Sequence, residues 1–516
     1  MTLNKSCLLL IVVAGMERFV FKGLACNLVT YLTDVMKMTN SSAARTISIW
    51  LGFTSMLPLV VAPLVDSYWD HYSTILASSF VYFLGLLALV STTLNEQTPS
   101  SSSLYSSLYL ISLGQCGYNP SLQAFGASQI EPLDELPTTE NDNDPNNKSW
   151  FFNWWYFGIC SGSFLGVSIM PNIQDFVGWS LGFALSAVVM VMSISLFLCG
   201  GRFYLYKQDK KINVDVTSFG KIVKAIKGSV SKVVRLKSDE KSKLVEIELE
   251  ENPLCLEEDI NGGETECASD QNSGNDNHLI KITKVVVRLL PIWTTLLMFA
   301  VIFQQPVTFF IKQGMTMKRN IGKSYNIPPA TFQSAITISI ILLMPFYDKI
   351  FVPLARFILR NDKGITTTQR IGIGMVLSVI AMVFAATVET KRRESSESGS
   401  GRLSIFYLLP QYILLGISDI FTVVGMQEFF YGEVPAEMKT MGIAMYTSVF
   451  GVGSFLSALM VFLVERFTGS EEKNGNWLSD DMRKGRLDKY YWMLACTSSL
   501  SFVGFLLFCK LYKRSV

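Results

Sequence analysis

The sequence predicts an all-α membrane protein of twelve transmembrane helices in two bundles of six, and three observations carry that expectation. Of its 516 residues, 49% are hydrophobic and 17% charged, against about 25% charged in soluble domains. Apolar windows of the roughly 20 residues that a helix needs to cross a bilayer recur along the chain. They fall into two groups around one polar interval, Arg202 to Lys284, which with short loops holds most of the charge. The net charge of +2 therefore averages unlike segments and says nothing about partners.

The first span, Cys7 to Leu32, carries Glu17, Arg18 and Lys22 in its middle. An ionisable side chain there costs about 2.5 to 3.5 kcal/mol on insertion scales, so it persists only against a protein interior or a wet cavity. Apolar character resumes after Arg18 and many spans follow, so an uncleaved helix is expected rather than a signal peptide. The windows Ala44 to Val65, Ile75 to Thr93, Leu104 to Gln129, Phe151 to Met170 and Trp179 to Leu198 complete the first group. The second comprises Val285 to Phe310, Ala330 to Tyr347, Ile371 to Val388, Leu403 to Gly425, Met441 to Val464 and Tyr491 to Phe508. The domain expectation is thus 1–200, a cytoplasmic loop at 201–284, and 285–516. Two sets of six around one polar connection is the layout of a transporter with its site between the halves, although a channel or receptor fits the hydropathy equally.

Arg202, Lys207, Lys210 and Lys211 after the sixth span place the central loop and the N-terminus in the cytoplasm. Lys312, Lys318, Arg319 and Lys323, with Lys391, Arg392 and Arg393, fall in loops that this orientation puts outside, which conflicts with the positive-inside rule. Within the central loop, apolar residues recur at helical spacing among lysines over about 217–237. This predicts a basic amphipathic helix, lying on the anionic leaflet or strapped to the two halves. The acidic stretch at about 239–277 is expected to be disordered. Asn40-Ser41-Ser42 forms a glycosylation sequon in the first expected external loop.

With His71 and His278 as the two histidines, histidine chemistry has little to work with, and the cysteine spacing shows neither zinc nor disulfide patterns. No enzyme activity, catalytic residue, metal, cofactor or nucleic-acid partner is expected. The intramembrane charges are Glu17, Arg18, Lys22 and, in the tenth span, Asp419. Arg18 and Lys22 share a helix face. A carboxylate and a cation that pair and separate as two halves rock give a basis for proton coupling, because a carboxylate that loses its partner binds a proton more readily. A fixed pair locking helices, with Lys22 snorkelling, is the structural alternative. Trp154, Trp155 and Tyr156 beside Gly158 and Gly162 read as an interfacial belt, with a cavity wall as the alternative. Trp154 and Tyr156 are cavity candidates on that second reading, together with Tyr118, Asn119 and Phe303.

Several of these residues occur in motifs that resemble the plant nitrate and peptide transporter family, within the proton-dependent oligopeptide transporters of the major facilitator superfamily. Glu17-Arg18-Phe19 with Gly23 and Asn27 to Leu32 is similar to its first-helix motif. Asn119-Pro120 with Ala124 to Ala127 resembles the fourth-helix motif, and Phe152-Asn153-Trp154 with Tyr156-Phe157 the fifth. Pro410-Gln411-Tyr412 with Gly416 resembles the tenth, and Trp477-Leu478 through Tyr491-Trp492 the approach to the last. The resemblance implies a major facilitator fold and alternating access. Its implied partners are a small-molecule substrate (nitrate, a di- or tripeptide, or a plant metabolite), protons and the lipid bilayer, at the plasma or vacuolar membrane. It leaves the oligomeric state open.

The chain departs from that pattern. Ala14 stands where the family has a first glutamate, and Asn119 where it has a lysine, so two coupling groups of opposite charge are lost together. Cys160 replaces an asparagine, Asp419 a glutamate, and Lys22 an aromatic; Phe303 stands where some nitrate-carrying relatives have histidine. Either proton coupling is weakened, leaving a facilitator or a protein that no longer transports, or Lys22 supplies the cation that Asn119 lacks. Only Met1 to Ser6 precede the first span, which is brief for the family.

Overall fold

The computed structural model describes residues 5–68, 70–94, 101–129, 145–204, 288–321, 325–346, 365–398, 401–434, 439–468, 477–481 and 485–514. The expected amphipathic helix and acidic stretch of the central loop lie outside these residues. The described chain belongs to a compact unit of Met1–Lys211 and Ile292–Val516, except for 288–291, which group with a second unit, Ile212–Pro291.

Helices occupy all twelve expected spans. The first six are α1 (Lys5–Ala25), α2 (Asn40–Tyr68), α3 (His71–Leu94), α4 (Ser101–Ser128), α5 (Pro145–Phe176) and α6 (Trp179–Cys199). The others are α7 (288–302), α8 (Ser334–Phe346), α9 (Thr367–Glu397), α10 (Leu409–Glu433), α11 (Lys439–Thr468) and α12 (Leu487–Arg514). By length and composition, eight of these stretches can cross a membrane. The other four are shorter (α8) or less apolar (α1, α4 and α5), partly because they turn polar side chains such as Glu17, Ser112, Gln115 and Ser163 inward. Among the described residues, the β structure is a two-residue antiparallel pairing, Asn320 with Asn326 and Ile321 with Tyr325.

Two apolar cores follow the two groups. One gathers Leu10, Trp50, Tyr82, Ile111 and Phe183, with Trp50 Nε1 donating to the Leu108 carbonyl at 2.9 Å. The other gathers Phe310, Met382, Leu415, Tyr491 and Leu494. The halves meet where α2 packs on α11, and where α5 packs on α8 and the 3-10 turn Pro329–Gln333 before it. Within the first half, α1 lies directly on α5. A Cβ at Gly162 would run into the Gly15 carbonyl, and one at Gly166 into that of Phe19. The small face of α5 is therefore a helix contact rather than a cavity wall, of the kind small residues make between membrane helices.

The seventh span is interrupted. Pro306 has no N–H to continue the helix, and a 3-10 turn at Gln305–Val307 separates α7 from a short helix, Phe309–Met315. Lys312 of that short helix is 5% exposed. It reaches into the other half, donating to Thr33 Oγ1 and pairing with Asp34 at 3.7 Å. On the same face the Asn40 N–H donates to Asp480 Oδ1 at 2.8 Å, and Ser41 Oγ donates to Glu465 at 2.7 Å. Gln333 Nε2 donates to the Cys26 carbonyl at 2.9 Å.

Two expectations change here. Asn40 starts α2 rather than lying in a loop, and its buried side-chain amide donates to the Asp480 and Ser479 carbonyls; the folded sequon offers no free amide for glycosylation. Lys391, Arg392 and Arg393 lie within α9, which runs to Glu397. Arg392 and Arg393 are ion-paired, with Glu389 and with Glu397 and Asp488 respectively.

Candidate functional site

The polar interior begins at Glu17, which points from α1 into the first half and is 1% exposed. Its carboxylate accepts from Gln115 Nε2 at 3.0 Å and faces Arg18 Nε at 3.5 Å. Asn119 offers a further side-chain donor. Gln115 and Asn119 sit four apart on α4 and so share the face turned to α1. A buried carboxylate needs such donors, and here amides provide what a lysine at 119 would otherwise give. Ala14, in place of the family's glutamate, is packed in the apolar core, so no second carboxylate requires a cation.

A second group lies between the halves. Lys22 of α1 and Asp419 of α10 are within electrostatic range of each other. Lys22 is exposed and Asp419 half-buried, so neither is packed into the core of its own half. Tyr156 of α5 joins them: its hydroxyl donates to the Cys160 sulfur one turn away, and it lies in the field of Asp419. Tyr446 of α11 lies in the fields of Asp419 and Arg18. Its ring sits 5.8 Å from that of Phe450, which in turn lies 6.1 Å from Phe303. This group thus has a polar end with two cations and one carboxylate, and an aromatic end built by α7 and α11.

Of the residues singled out in the sequence, Glu17, Arg18 and Asn119 form the first group, and Lys22, Asp419 and Tyr156 the second, with Phe303 at its aromatic end. Tyr118 and Trp154 are not brought to the cavity. Tyr118 is 1% exposed in the core of the first half. Trp154 lies on the outer apolar face, edge-on to Phe157 at 5.7 Å, the place of a belt residue. Sequence reasoning missed Gln115 and Tyr446. Spacing could have found Gln115, one turn before Asn119; Tyr446 has no signal of its own, because only packing brings α11 opposite α1. Among the described residues, no cluster of His, Cys, Asp and Glu could hold a metal ion.

Comparison with known proteins identifies the fold and the family. The chain is 52% identical to Protein NRT1/PTR FAMILY 5.9 of Arabidopsis thaliana, over 99% of its own length and 96% of that protein. It is 37% identical to Protein NRT1/PTR FAMILY 5.13 of the same plant, over 96% and 91%. Its fold superposes on the crystal structure of an auto-inhibited POT family peptide transporter with a TM-score of 0.72, at 18% identity, covering 99% of this chain and 97% of that one. These similar proteins are membrane transporters, not enzymes. With residues 72–478 also matching the POT family model, the chain belongs to the POT family of multi-pass membrane transporters, among its plant NRT1/PTR members.

Proposed function

We propose that the chain is a proton-coupled secondary transporter of a small solute, in which the Lys22–Asp419 pair is the coupling element. What carries this reading is that a cation of one half and a carboxylate of the other lie within electrostatic range of each other, and the space between them is read as the central cavity. In alternating access, rocking of the halves separates such a pair, and a solute or a proton takes the place of the lost partner. Glu17, held within one half by Gln115, Asn119 and Arg18, keeps Arg18 in place throughout the cycle. Nitrate, a di- or tripeptide and a plant metabolite are the solute classes in view, and the plasma or vacuolar membrane the proposed location.

A proton-independent facilitator is the second reading, favoured by the burial of Ala14 in an apolar core and by an amide at Asn119. Uptake of nitrate, dipeptides and plant metabolites into oocytes at mildly acidic and at neutral pH, by the native chain and Asp419→Asn, tests both. Acid-stimulated uptake whose pH response disappears in Asp419→Asn supports coupling. Uptake indifferent to pH and to Asp419 supports a facilitator, and no uptake with surface expression verified excludes both and favours a signalling or scaffold role.

A further inference from the structure

The end of α9 carries a second concentration of cations that the central cavity does not use. Arg392 turns inward there and is 4% exposed. Its Nε donates to Glu389 Oε2 at 2.8 Å and its Nη2 to Oε1 at 2.6 Å. This two-point grip fixes the plane of the guanidinium fork. Arg392 also lines a pocket of about 200 Å³ with Thr316, Ser395, Ser396, Gly401 and Arg402. The walls come from three segments, two of them tied by backbone hydrogen bonds: the Lys318 N–H donates to the Leu403 carbonyl at 2.8 Å, and the Ile405 N–H to the Lys318 carbonyl at 3.0 Å. Gly401, at φ +101°, takes a turn that a side chain would strain, immediately before Arg402.

We propose that this pocket, on the same face as the Lys312–Asp34 contact, is a binding site for a small anion. Its lining presents the Arg402 guanidinium and three hydroxyls, with Arg392 already gripped by Glu389 behind them, and no carboxylate. A forked, charge-assisted donor such as Arg402 suits an oxyanion or a carboxylate. The volume lies below the roughly 300–1,000 Å³ of pockets for drug-sized ligands, which limits the occupant to a few heavy atoms. The pocket also adjoins the segment that closes this face. Thr316 follows Lys312 by one turn, and Gln313, beside Lys312, lies near the Glu389 that holds Arg392. The occupant is either the transported solute at the mouth of its path or a free inorganic anion, and the shared chemistry is a small negatively charged oxygen group.

The test uses the purified full-length chain in detergent, with phosphate, sulfate or nitrate titrated against chloride at constant ionic strength. The thermal midpoint should rise saturably with at least one oxyanion and not with chloride. Arg402→Gln, at an exposed position that leaves the buried Arg392–Glu389 pair intact, should weaken the apparent affinity at least tenfold, and Ser396→Ala should weaken it less. A higher KM with unchanged kcat in Arg402→Gln would identify the transported solute as the occupant; unchanged uptake kinetics with lost anion stabilisation would identify a free anion. The proposal is overturned if no oxyanion gives a saturable rise. It is equally overturned if the rise survives Arg402→Gln but vanishes in Lys22→Ala, which would place the anion in the central cavity.

Discussion

Glu17, Lys22 and Asp419 differ in what surrounds them, and that difference assigns them different work. Glu17 is enclosed by amides and one guanidinium from its own half, so no relative movement of the halves need disturb it. Lys22 and Asp419 lie in each other's field from opposite halves, so any such movement must change their separation. Removing one of the two charges leaves the other less compensated, and the effects of interacting sites are not additive. Lys22→Ala and Asp419→Asn should therefore each reduce folded yield and lower uptake more than tenfold. The double variant should regain folded yield without regaining the response to pH. Yield measured by size-exclusion chromatography and paired with uptake assays checks this; a double variant as poorly folded as the two losses combined would show that the residues do not interact. At this scale the sequence was legible in its charges, because so few ionisable groups lie in apolar spans. The neutral groups were harder to read: Gln115 is an ordinary polar residue until α4 is seen against α1.

Helix positions were the most legible feature, because hydrophobic length is dictated by the bilayer and needs no knowledge of packing. The ends were less so. α5 runs on to Phe176 and α9 to Glu397, beyond their apolar windows, since a helix continues into polar surroundings while its hydrogen bonds are made. The glycines of α5 were legible as small residues but not in their purpose. Their backbone contact with α1 gives a sharp contrast for mutation. Gly162→Ala places a methyl against the Gly15 carbonyl, which cannot yield as a flexible side chain can, and overpacking of this kind costs about 1–3 kcal/mol. At Gly432, near the end of α10, an added methyl would meet no atom within 4 Å, and alanine there should be neutral or favourable by up to about 1 kcal/mol. Thermal midpoints of the purified variants should fall by several degrees for Gly162→Ala and stay level for Gly432→Ala. Equal midpoints would mean that α1 and α5 can separate without loss.

Across the whole molecule, the polar ties between the halves described here concentrate on one face. Lys312 with Thr33 and Asp34, Asn40 with Asp480, Ser41 with Glu465, and Gln333 with the Cys26 carbonyl join the halves opposite the ends where α6 closes and α7 begins. Exposed ion pairs contribute about 0–1 kcal/mol each, and a hydrogen bond about 0.5–1.5 kcal/mol, so the set amounts to a few kcal/mol. That is strong enough to favour closure of this face and weak enough to be released within a transport cycle, since about 1.4 kcal/mol is a tenfold change in population. Lys312→Met combined with Glu465→Ala removes the buried cation and the acceptor of Ser41 without touching the central cavity. Cys160, buried against Ile340 and Ile420 where α5 meets α8 and α10, is a native reporter of separation of the halves. In oriented vesicles, an impermeant maleimide applied to the tied face should label Cys160 slowly in the native chain and at least tenfold faster in the double variant, as read by peptide mass spectrometry. Equal rates would mean that these ties do not hold the face closed, and that closure rests on the α2–α11 and α5–α8 packing alone.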